Sequence, residues 1–560
     1  MNWSALAPGL AQFRGYRRSW LRGDVVAGLT VAAYLVPQVM AYATIAGFSP
    51  VVGLWAALAP LAVYALFGTS RQLSAGPEST TALMTATALA PLAAGDPGRY
   101  AALAAMLAVL VGLFCFLGGL IRLGFLAELL SRPVLIGYMS GVAVVMIGSQ
   151  LGKLTGVPVH GDGIVEQLRS LAGSIRDIHL PTLVFSVAVL VVLIALARWL
   201  PRYPGPFIAV LLATVAVAVF SLDHKGIRVV GPVPAGLPAF GLTAIPWHDV
   251  ETLAAVAGGV AIVAFSDTVL TARTFAARKR ESIDANAELR ALGLCNVGTG
   301  LSHGFPVSSS GSRTALADLV GGRTQMYSLV ALALVLVVML TAHGLLAMFP
   351  TAALGALVVF AALRLIDVDE YRRLARFRRS EFVLALLTAV AVLTLGLLYG
   401  VLAAVGLSIL DLLRRVARPH DSVQGFVPGV AGMHDIEDYP EARLEPGLLV
   451  YRYDAPLFFA NAHDFRTRAM AAVDDNPDPV QWFVLNAEAN VDVDLTALDA
   501  LDQLRQDLEA RGIVFAMARV KEDLRLMLEA AGLLDKIGED RIFPTLPTAV
   551  DAYRNRRRTA

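Results

Sequence analysis

The sequence is poor in cysteine and in charge. Its 560 residues include 2 cysteines, Cys115 and Cys295, each within an apolar run rather than in a pair with metal-ligand spacing. This argues against a structural disulfide or a metal site. Charged residues make up 16% of the chain, and 46 basic residues nearly balance 45 acidic ones, giving a net charge of +1. The overall charge therefore gives no reason to expect a nucleic acid as partner.

Apolar residues are abundant instead. They make up 56% of the sequence, and the mean hydropathy of +0.63 is too high for an ordinary soluble protein of this length. We predict a polytopic α-helical membrane protein whose first span is retained, because the cytoplasmic segment 1–23 lacks a signal-peptide cleavage pattern. Spanning-length runs and two shorter broken segments give about fourteen spans within 24–418. They divide into two seven-span repeats, at about 24–222 and 250–418.

The distribution of Lys and Arg predicts the orientation in the membrane. Basic residues recur on alternate connections, from Arg14–Arg22 to the dense loop Arg364–Arg379 and finally Arg414–Arg418. The connections between them, including His160–Asp177 and Asp223–Asp249, are mixed or acidic. Because basic loops stay in the cytoplasm, we expect both chain ends inside the cell and the spans in the cytoplasmic membrane.

The composition changes after Arg418, where acidic and basic residues become interleaved as in a soluble domain. We predict a linker at 419–441, a cytoplasmic α/β domain at 442–556 and a tail at 557–560. Its predicted strands and helices are Leu448–Tyr453, Trp482–Leu485 and Ile513–Ala518, and Thr496–Arg511 and Glu522–Ala531, respectively. The domain has no phosphate loop and no paired catalytic constellation, so we do not expect an enzyme.

Two polar segments, broken by glycine and proline, lie between the apolar runs. One is His303–Leu319, and the other is Gly76–Met84, whose Ser-Thr-Thr-Ala-Leu resembles the Ser-Arg-Thr-Ala-Leu of the first. Broken polar backbone at membrane depth is tolerated only where protein or a water-filled cavity surrounds it. If helices begin near Pro77 and Ser312, their free N–H groups converge as an anion site, to which Arg313 adds a positive charge. The alternative is that these small residues only permit tight helix packing.

An acidic residue lies inside a later span. Asp267 is within the apolar run Val260–Leu270, and Thr271 follows one helical turn later on the same face. An acid inside a span is costly and indicates function by default. The two residues could hold a small cation such as sodium through oxygen ligands, or Asp267 could exchange a proton. The alternative is a structural ion pair between Asp267 and Arg313.

The first span also contains polar residues. Pro37 interrupts the helix, Gln38 supplies an amide that can donate to an oxyanion, and Tyr42 follows one turn later. A simple kink with a polar packing residue is the alternative. Glu78 is unexpected at the start of a half-length helix, because its carboxylate would compete with an anion. It could cap the helix, carry a proton or face the cytoplasm.

These residues resemble the sulfate permease family, also called solute carrier family 26, over almost the whole chain. Val36–Ala43, followed by Ala46–Trp55, is similar to the first-span signature of that family. Asn286–Gly293, followed by Gly304–Leu316, is similar to its second-half signature. The C-terminal domain resembles a STAS domain, the module shared with anti-sigma-factor antagonists. The sequence is similar in particular to mycobacterial and related actinobacterial members.

The resemblance implies seven plus seven inverted spans in a core and a gate domain, elevator-type movement, and a homodimer in the lipid bilayer. It also implies secondary active transport of a small inorganic or carboxylate anion (sulfate, bicarbonate or a dicarboxylate), coupled to sodium or protons and without a cofactor. Asp267 and Thr271 match the coupling-ion position of sodium-coupled members. The residues that match the substrate site are Gln38, Tyr42, Glu78, Ser79, Gly311, Ser312 and Arg313.

Two departures from the family pattern bear on function. Glu78 replaces a residue that is small or apolar in many members. Thr496 stands where the antagonists have a phosphorylated Ser, which makes it a candidate regulatory phosphosite, but a helix N-cap is the role that we favour for it. Two other functions stay open: a membrane-anchored scaffold that binds a cytoplasmic protein through the STAS domain, and a transporter of an uncharged substrate such as a nucleobase. Arg313 and the lack of an acidic pair for base recognition argue against the nucleobase.

Overall fold

The computed structural model describes residues 7–128, 131–159, 161, 163–234, 236–243 and 245–559. Residues 1–6 of the predicted N-terminal segment, His160 and Asp162 of a predicted outer connection, and Ala560 of the predicted tail lie outside this description. The chain divides into two compact units, Met1–Ser408 and Ile409–Ala560.

In the described part of the chain, fourteen helices follow the order of the predicted spans. Proline occupies one of the first two positions in α2, α4, α5, α6 and α7, where its missing N–H has no helical partner to lose. Seven helices in the described residues are long and apolar enough to cross a membrane. The fourteen are α1 Arg18–Ile45, α2 Pro50–Phe67, α3 Ser79–Ala93, α4 Pro97–Leu120, α5 Arg132–Thr155, α6 Leu180–Trp199, α7 Gly205–Phe220, α8 Trp247–Lys279, α9 Ala285–Leu301, α10 Gly311–Leu319, α11 Met326–Thr341, α12 Thr351–Leu363, α13 Arg379–Leu395 and α14 Leu397–Ala417.

Both halves of this region follow the same order: two helices, a two-residue strand leading into a half-length helix, and four further helices. The strand β1 at Ala75–Gly76 precedes α3, and β2 at Ser308–Ser309 precedes α10. The two strands pair antiparallel, with Ala75 opposite Ser309 and Gly76 opposite Ser308. The halves therefore run in opposite directions where they meet, and the predicted seven-plus-seven inverted architecture is confirmed.

The helices form two bundles. In one, α1 and α2 pack against α11, and α9 packs against α2 and α4. In the other, α5 packs against α12 and α13, and α12 packs against α6. Glycines permit the closest approach between α4 and α9, because a Cβ at Gly112 would lie 2.6 Å from the carbonyl oxygen of Gly293. Small residues at such contacts let helix backbones come together in the membrane.

The second unit is built on a six-stranded sheet in the order β4-β3-β5-β6-β7-β8. β3 pairs antiparallel with β4 and β5, and the remaining neighbours are parallel. Along β6, Phe483 and Leu485 enter one apolar core and Val484 enters another, so both faces of the sheet are covered. The strands are β3 Asp421–Phe426, β4 Met433–Asp435, β5 Leu448–Tyr453, β6 Trp482–Asn486, β7 Val514–Ala518 and β8 Ile542–Phe543, and the longer helices are α15 Ala462–Asp474, α16 Leu495–Ala510, α17 Glu522–Ala530 and α18 Leu546–Thr559.

The predicted strands and helices of this unit agree with the structure to within one residue. The segment 419–441, which we expected to be a linker, contributes β3 and β4 to the sheet. The N-cap role that we favoured for Thr496 is wrong. Asp494 caps α16, its Oδ1 accepting from the N–H of Ala497 at 2.8 Å, while Thr496 lies exposed in the first turn. A carboxylate is a better cap than a threonine hydroxyl, which explains the displacement.

Candidate functional site

The two half-length helices begin where β1 and β2 end. α3 starts at Ser79 and α10 at Gly311, each close to the predicted start. Glu78 caps α3, accepting from the N–H of Thr80 at 2.6 Å and from the hydroxyl of Ser79. Ser310 caps α10 through a longer contact, 3.4 Å from the N–H of Arg313. Of the three roles considered for Glu78, the structure shows the cap.

A cavity of about 600 Å³ lies beside these helix starts. It is lined by helices of both bundles, including α1, α3, α8 and α10 from one and α12 from the other. Every predicted site residue except Arg313 lines it: Gln38, Tyr42, Glu78, Ser79, Asp267, Thr271, Gly311 and Ser312. We call this space the Gln38 cavity. Residues from two distant halves of the sequence thus share one polar volume.

Gln38 lies at the centre of the polar contacts. Its Nε2 donates to the hydroxyl of Tyr42 at 2.9 Å and lies 3.4 Å from Oγ of Ser312. Its Oε1 accepts from Nη1 of Arg313 at 3.0 Å. A guanidinium can only donate, so it fixes which end of the amide faces it. The donor end of Gln38 is therefore turned toward Tyr42 and Ser312, which line the cavity.

Arg313 lies behind the cavity wall and is fully buried. Besides Gln38, it donates to the carbonyl oxygen of Pro77 at 3.0 Å and to Oγ of Ser74 at 3.2 Å. Its Nη2 has no hydrogen-bond partner within the part of the chain that the structure describes. Among the described residues no carboxylate lies within 4.0 Å of it, so the alternative of an Asp267–Arg313 ion pair is wrong. The guanidinium instead joins α1, the segment before α3, and α10.

Asp267 joins α8 to β2. Its Oδ2 accepts from the hydroxyls of Ser308 and Ser309, each at 3.3 Å. Ser308 also lies 3.0 Å from the carbonyl oxygen of Ala264, one turn earlier on α8. Thr271 lines the same cavity. These are oxygen ligands of the kind that hard cations prefer, so the residues present are compatible with sodium. The described residues contain no group of three or more His, Cys, Asp or Glu side chains that could hold a metal ion.

Sequence reasoning missed several lining residues. Tyr34 lies one turn before Gln38 on the face that also presents Tyr42, so the four-residue spacing could have identified it. Ser309 and Ser310 belong to the broken segment but were not singled out within it. Phe360 of α12 comes from the opposite bundle, and its sequence context is uniformly apolar. No signal in the sequence could have placed it at the site.

A buried acid outside the cavity lining, Glu288, holds the segment that leads to the site. Glu288 of α9 is fully buried and accepts from the hydroxyl of Tyr64 at 2.7 Å and from the N–H of Thr69 at 2.8 Å. It thereby fixes the connection after α2, which leads to Ser74 and the guanidinium of Arg313. Buried charge is costly unless it is hydrogen-bonded, and this network satisfies the carboxylate. Glu288 therefore positions the segment that precedes α3.

Two family models match this sequence. The one described as the sulfate permease family matches residues 21–388, and the STAS domain model matches residues 439–549. A probable sulfate transporter of Mycobacterium tuberculosis strain H37Rv is 67% identical over 556 residues, covering 99% of each chain. The chloroplastic sulfate transporter 4.1 of Arabidopsis thaliana is 30% identical over 570 residues, covering 98% of this chain and 83% of that protein.

Two solved structures are similar as well. Murine Solute Carrier 26 family member A9, an anion transporter in the inward-facing state, superposes with a TM-score of 0.89 at 23% identity, covering 98% of this chain and 94% of that one. The transmembrane domain of the cyanobacterial bicarbonate transporter BicA gives a TM-score of 0.62 at 25% identity, covering 70% of this chain and 99% of that one. The shared architecture includes both the membrane bundles and, in the first case, the sheet-containing unit.

Proposed function

This chain belongs to the sulfate permease family of membrane anion transporters, and we propose that it is a secondary active transporter of sulfate or a related small oxyanion. The observation that supports this most directly is the donor end of Gln38, turned into a polar cavity by Arg313. Ser312 and the first N–H groups of α10 lie at the same cavity. Helix N-termini together with oriented amide and hydroxyl donors form an anion site. The same arrangement offers little to an uncharged base.

The charges around the Gln38 cavity support coupling to a cation. Glu78 and Asp267 line it, and Arg313 lies behind it. With both acids ionised these three groups sum to a single negative charge, and a dianion would add two more. Such a cluster is strongly unfavourable away from bulk water. We therefore propose that a sodium ion at Asp267 and Thr271, or a proton on one acid, accompanies the anion.

The division into two bundles supports movement of the elevator type. The predicted substrate and coupling residues all belong to the bundle of α1, α3, α8 and α10, whereas Phe360 and Arg364, at the end of α12, close the cavity from the other. The cavity reaches Asp318 and Arg364, which lie next to connections that we predict to be cytoplasmic. We propose that this is an inward-open arrangement and that the first bundle slides against the second.

We also propose a location, an oligomeric state and a regulatory site for this protein. The chain lies in a membrane, and the alternating basic connections favour the cytoplasmic membrane with both ends inside. Family resemblance favours a homodimer and a cytoplasmic protein partner for the STAS domain. The exposed Thr496 in the first turn of α16 is accessible to a kinase, and a phosphate there would add negative charge beside the carboxylate of Asp494 that caps the helix.

Uptake of labelled sulfate into vesicles containing the purified protein tests the function. We expect uptake that depends on an imposed sodium or proton gradient and is reduced by Ser312→Ala. Losing one hydrogen bond to a charged group predicts a KM about 10- to 100-fold higher. Ser328→Ala is a matched control, because that hydroxyl donates to the carbonyl oxygen of Leu61 at 3.0 Å, away from the cavity.

Competition identifies the substrate class. Bicarbonate or a dicarboxylate that competes better than sulfate would change the anion but keep the mechanism. Competition by uracil, with no effect of any anion, would favour the uncharged substrate. Absence of uptake for all anions under every gradient would contradict the proposal, and a partner bound through the STAS domain would then favour the scaffold.

A further inference from the structure

A second cavity lies in the membrane unit, apart from the Gln38 cavity. It has a volume of about 240 Å³ and is formed by the end of α5, the connections after α5 and α7, and the starts of α6 and α12. Polar lining residues include Ser149, Lys153, Thr182, Arg228 and Thr351. We call it the Lys153 cavity. None of these residues lines the Gln38 cavity or takes part in the proposed function.

The charged lining of this cavity is basic. Lys153 and Arg228 line it, and the lining set contains no carboxylate among the residues that the structure describes. No described Asp or Glu lies within 4.0 Å of either cation. Two cationic side chains with no described acidic partner beside one small cavity, the exposed Arg228 and the partly buried Lys153, form a positive centre that an anion can neutralise.

Both cations keep unused donors. Nζ of Lys153 donates to Oγ1 of Thr44 at 2.9 Å, and an ammonium has three donors. The guanidinium of Arg228 reaches only the carbonyl oxygen of Gly156, at 3.4 Å from Nη2, among the described groups. The backbone of Arg228 is fixed, because both the N–H and the hydroxyl of Thr351 donate to its carbonyl oxygen, at 2.9 and 3.1 Å. The backbone that carries this guanidinium is therefore fixed, whereas the side chain itself is exposed.

The two cavities lie toward opposite ends of the same helices. On α5, Met139 lines the Gln38 cavity and Ser149 lines the Lys153 cavity. Ten residues of helix separate them by about 15 Å along the axis. On α12, Phe360 and Thr351 are placed in the same way. The Lys153–Thr44 contact joins α5 to the end of α1 and lies between the cavity and the bundle that contains Gln38.

We propose that the Lys153 cavity is a second anion-binding site, at which a small oxyanion docks on the side of the membrane opposite to the opening of the Gln38 cavity. The ligand class rests on the proposed function, whereas the site itself rests on Lys153 and Arg228. An anion bound there lies beside the Lys153–Thr44 contact, which joins the two bundles. It enters or leaves the transport path when the bundles move.

Side-specific transport kinetics test the proposal in vesicles containing the full-length protein. Lys153→Gln and Arg228→Gln should each raise the KM for labelled sulfate from the side of the Lys153 cavity about tenfold, as expected for one lost charge-assisted hydrogen bond. The KM from the opposite side should stay unchanged, and Lys153→Arg should restore most of the loss. Lys225→Gln is the matched control, since Lys225 is exposed on the same connection and does not line the cavity.

Two results would overturn the site. The first is an unchanged KM from both sides in the double variant. The second is a Thr44→Val variant that reproduces the effect of Lys153→Gln, because Lys153 would then act only by holding α1.

Thiol protection gives a readout that does not need transport. Ser149→Cys should react with a membrane-impermeant thiol reagent added from one side only, and sulfate should slow that reaction while Lys153→Gln removes the protection. The native Cys115 and Cys295 are buried and should not interfere. If the protein moves no anion, the proposed function is wrong. Protection of Ser149→Cys by an anion would then still show that the Lys153 cavity binds anions. Reaction that no anion slows, in a protein that transports sulfate, contradicts the site alone.

Discussion

Arg313 offers the sharpest test of how this protein binds an anion. The guanidinium does not line the Gln38 cavity, so it must act through charge and through Gln38. Its Nη1 is 3.0 Å from Oε1 of Gln38, and an anion accepting from Nε2 of the same amide would lie about 6–8 Å away. At an effective dielectric constant of about 20, one charge at that distance contributes about 2–3 kcal/mol for each unit charge of the anion. For a monoanion this corresponds to about a 30- to 100-fold change in Kd, and for the dianion sulfate, at about 4–5.5 kcal/mol, to about a 1,000- to 10,000-fold change.

The comparison of Arg313→Met with Arg313→Lys isolates the charge. Both variants lose the planar fork that contacts Ser74 and Pro77, so their losses of stability are similar, but only the lysine keeps the positive charge. We expect sulfate, with two charges, to bind Arg313→Met about 1,000- to 10,000-fold more weakly than Arg313→Lys, as measured by titration calorimetry at low ionic strength. A difference below about threefold, or about 0.7 kcal/mol, between two folded variants would refute the electrostatic role.

Three other perturbations have defined outcomes. Asp267→Asn should abolish the sodium dependence of sulfate binding, and binding that stays equally sodium-dependent would exclude Asp267 as a ligand. Gly293→Ala should lower the unfolding free energy by about 1–3 kcal/mol in thermal denaturation, because its Cβ would lie 2.7 Å from backbone atoms of α4, whereas Gly258→Ala in α8 meets nothing within 4 Å and serves as control. The hydrogen bond to Asp435 raises the pKa of His420 above its usual 6.5, so its stabilisation is present below that pH and is lost as the pH rises through the folded-state pKa. His420→Asn should therefore lower the free energy of unfolding of the STAS unit more at pH 6 than at pH 8, by less than about 1 kcal/mol because the side chain is 57% exposed. An equal loss at both pH values would contradict the pair.

Much of the fold was predictable because the length of an apolar run, and its interruption by glycine, proline and polar residues, are strong signals in a membrane protein. The broken segments at Gly76–Met84 and His303–Leu319 could be found because irregular backbone in a span needs protein or water around it. The sheet of the STAS unit followed from short β-branched and aromatic runs such as Leu448–Tyr453. The strand β4 was missed because it has three residues and lies in a Gly-rich stretch that is typical of a linker. The six-residue strand β3 was missed because its sequence, Asp-Ser-Val-Gln-Gly-Phe, includes Asp and Gly, which are depleted in strands.

The site could be predicted only as a set of residues. Sequence placed Gln38, Asp267 and Arg313 in the same region, but it could not give the direction in which each side chain points. The distinction between a guanidinium that faces the anion and one that stands behind an amide depends on tertiary contacts with Ser74 and Pro77, which no local pattern encodes. The Lys153 cavity was missed for the same reason, since Lys153, in the last turn of α5, and Arg228, in the connection after α7, lie 75 residues apart in sequence that is ordinary in composition.

The two helix starts at the Gln38 cavity differ in the charge of their caps. This difference connects the binding of the anion with its proposed coupling to a cation. At α3 the carboxylate of Glu78 already occupies the N–H of Thr80 and the hydroxyl of Ser79, which an incoming anion would otherwise use. At α10 the cap is the neutral Ser310, whose Oγ lies 3.4 Å from the backbone nitrogen of Arg313. The first N–H groups of α10 therefore stay available to an anion. An anion should therefore bind nearest to α10 and Gln38, with Glu78 as a repelling neighbour. Any cation that neutralises an acid at this cavity lowers the repulsion, so under the proposed coupling we expect the binding of the anion and the binding of the cation to strengthen each other reciprocally.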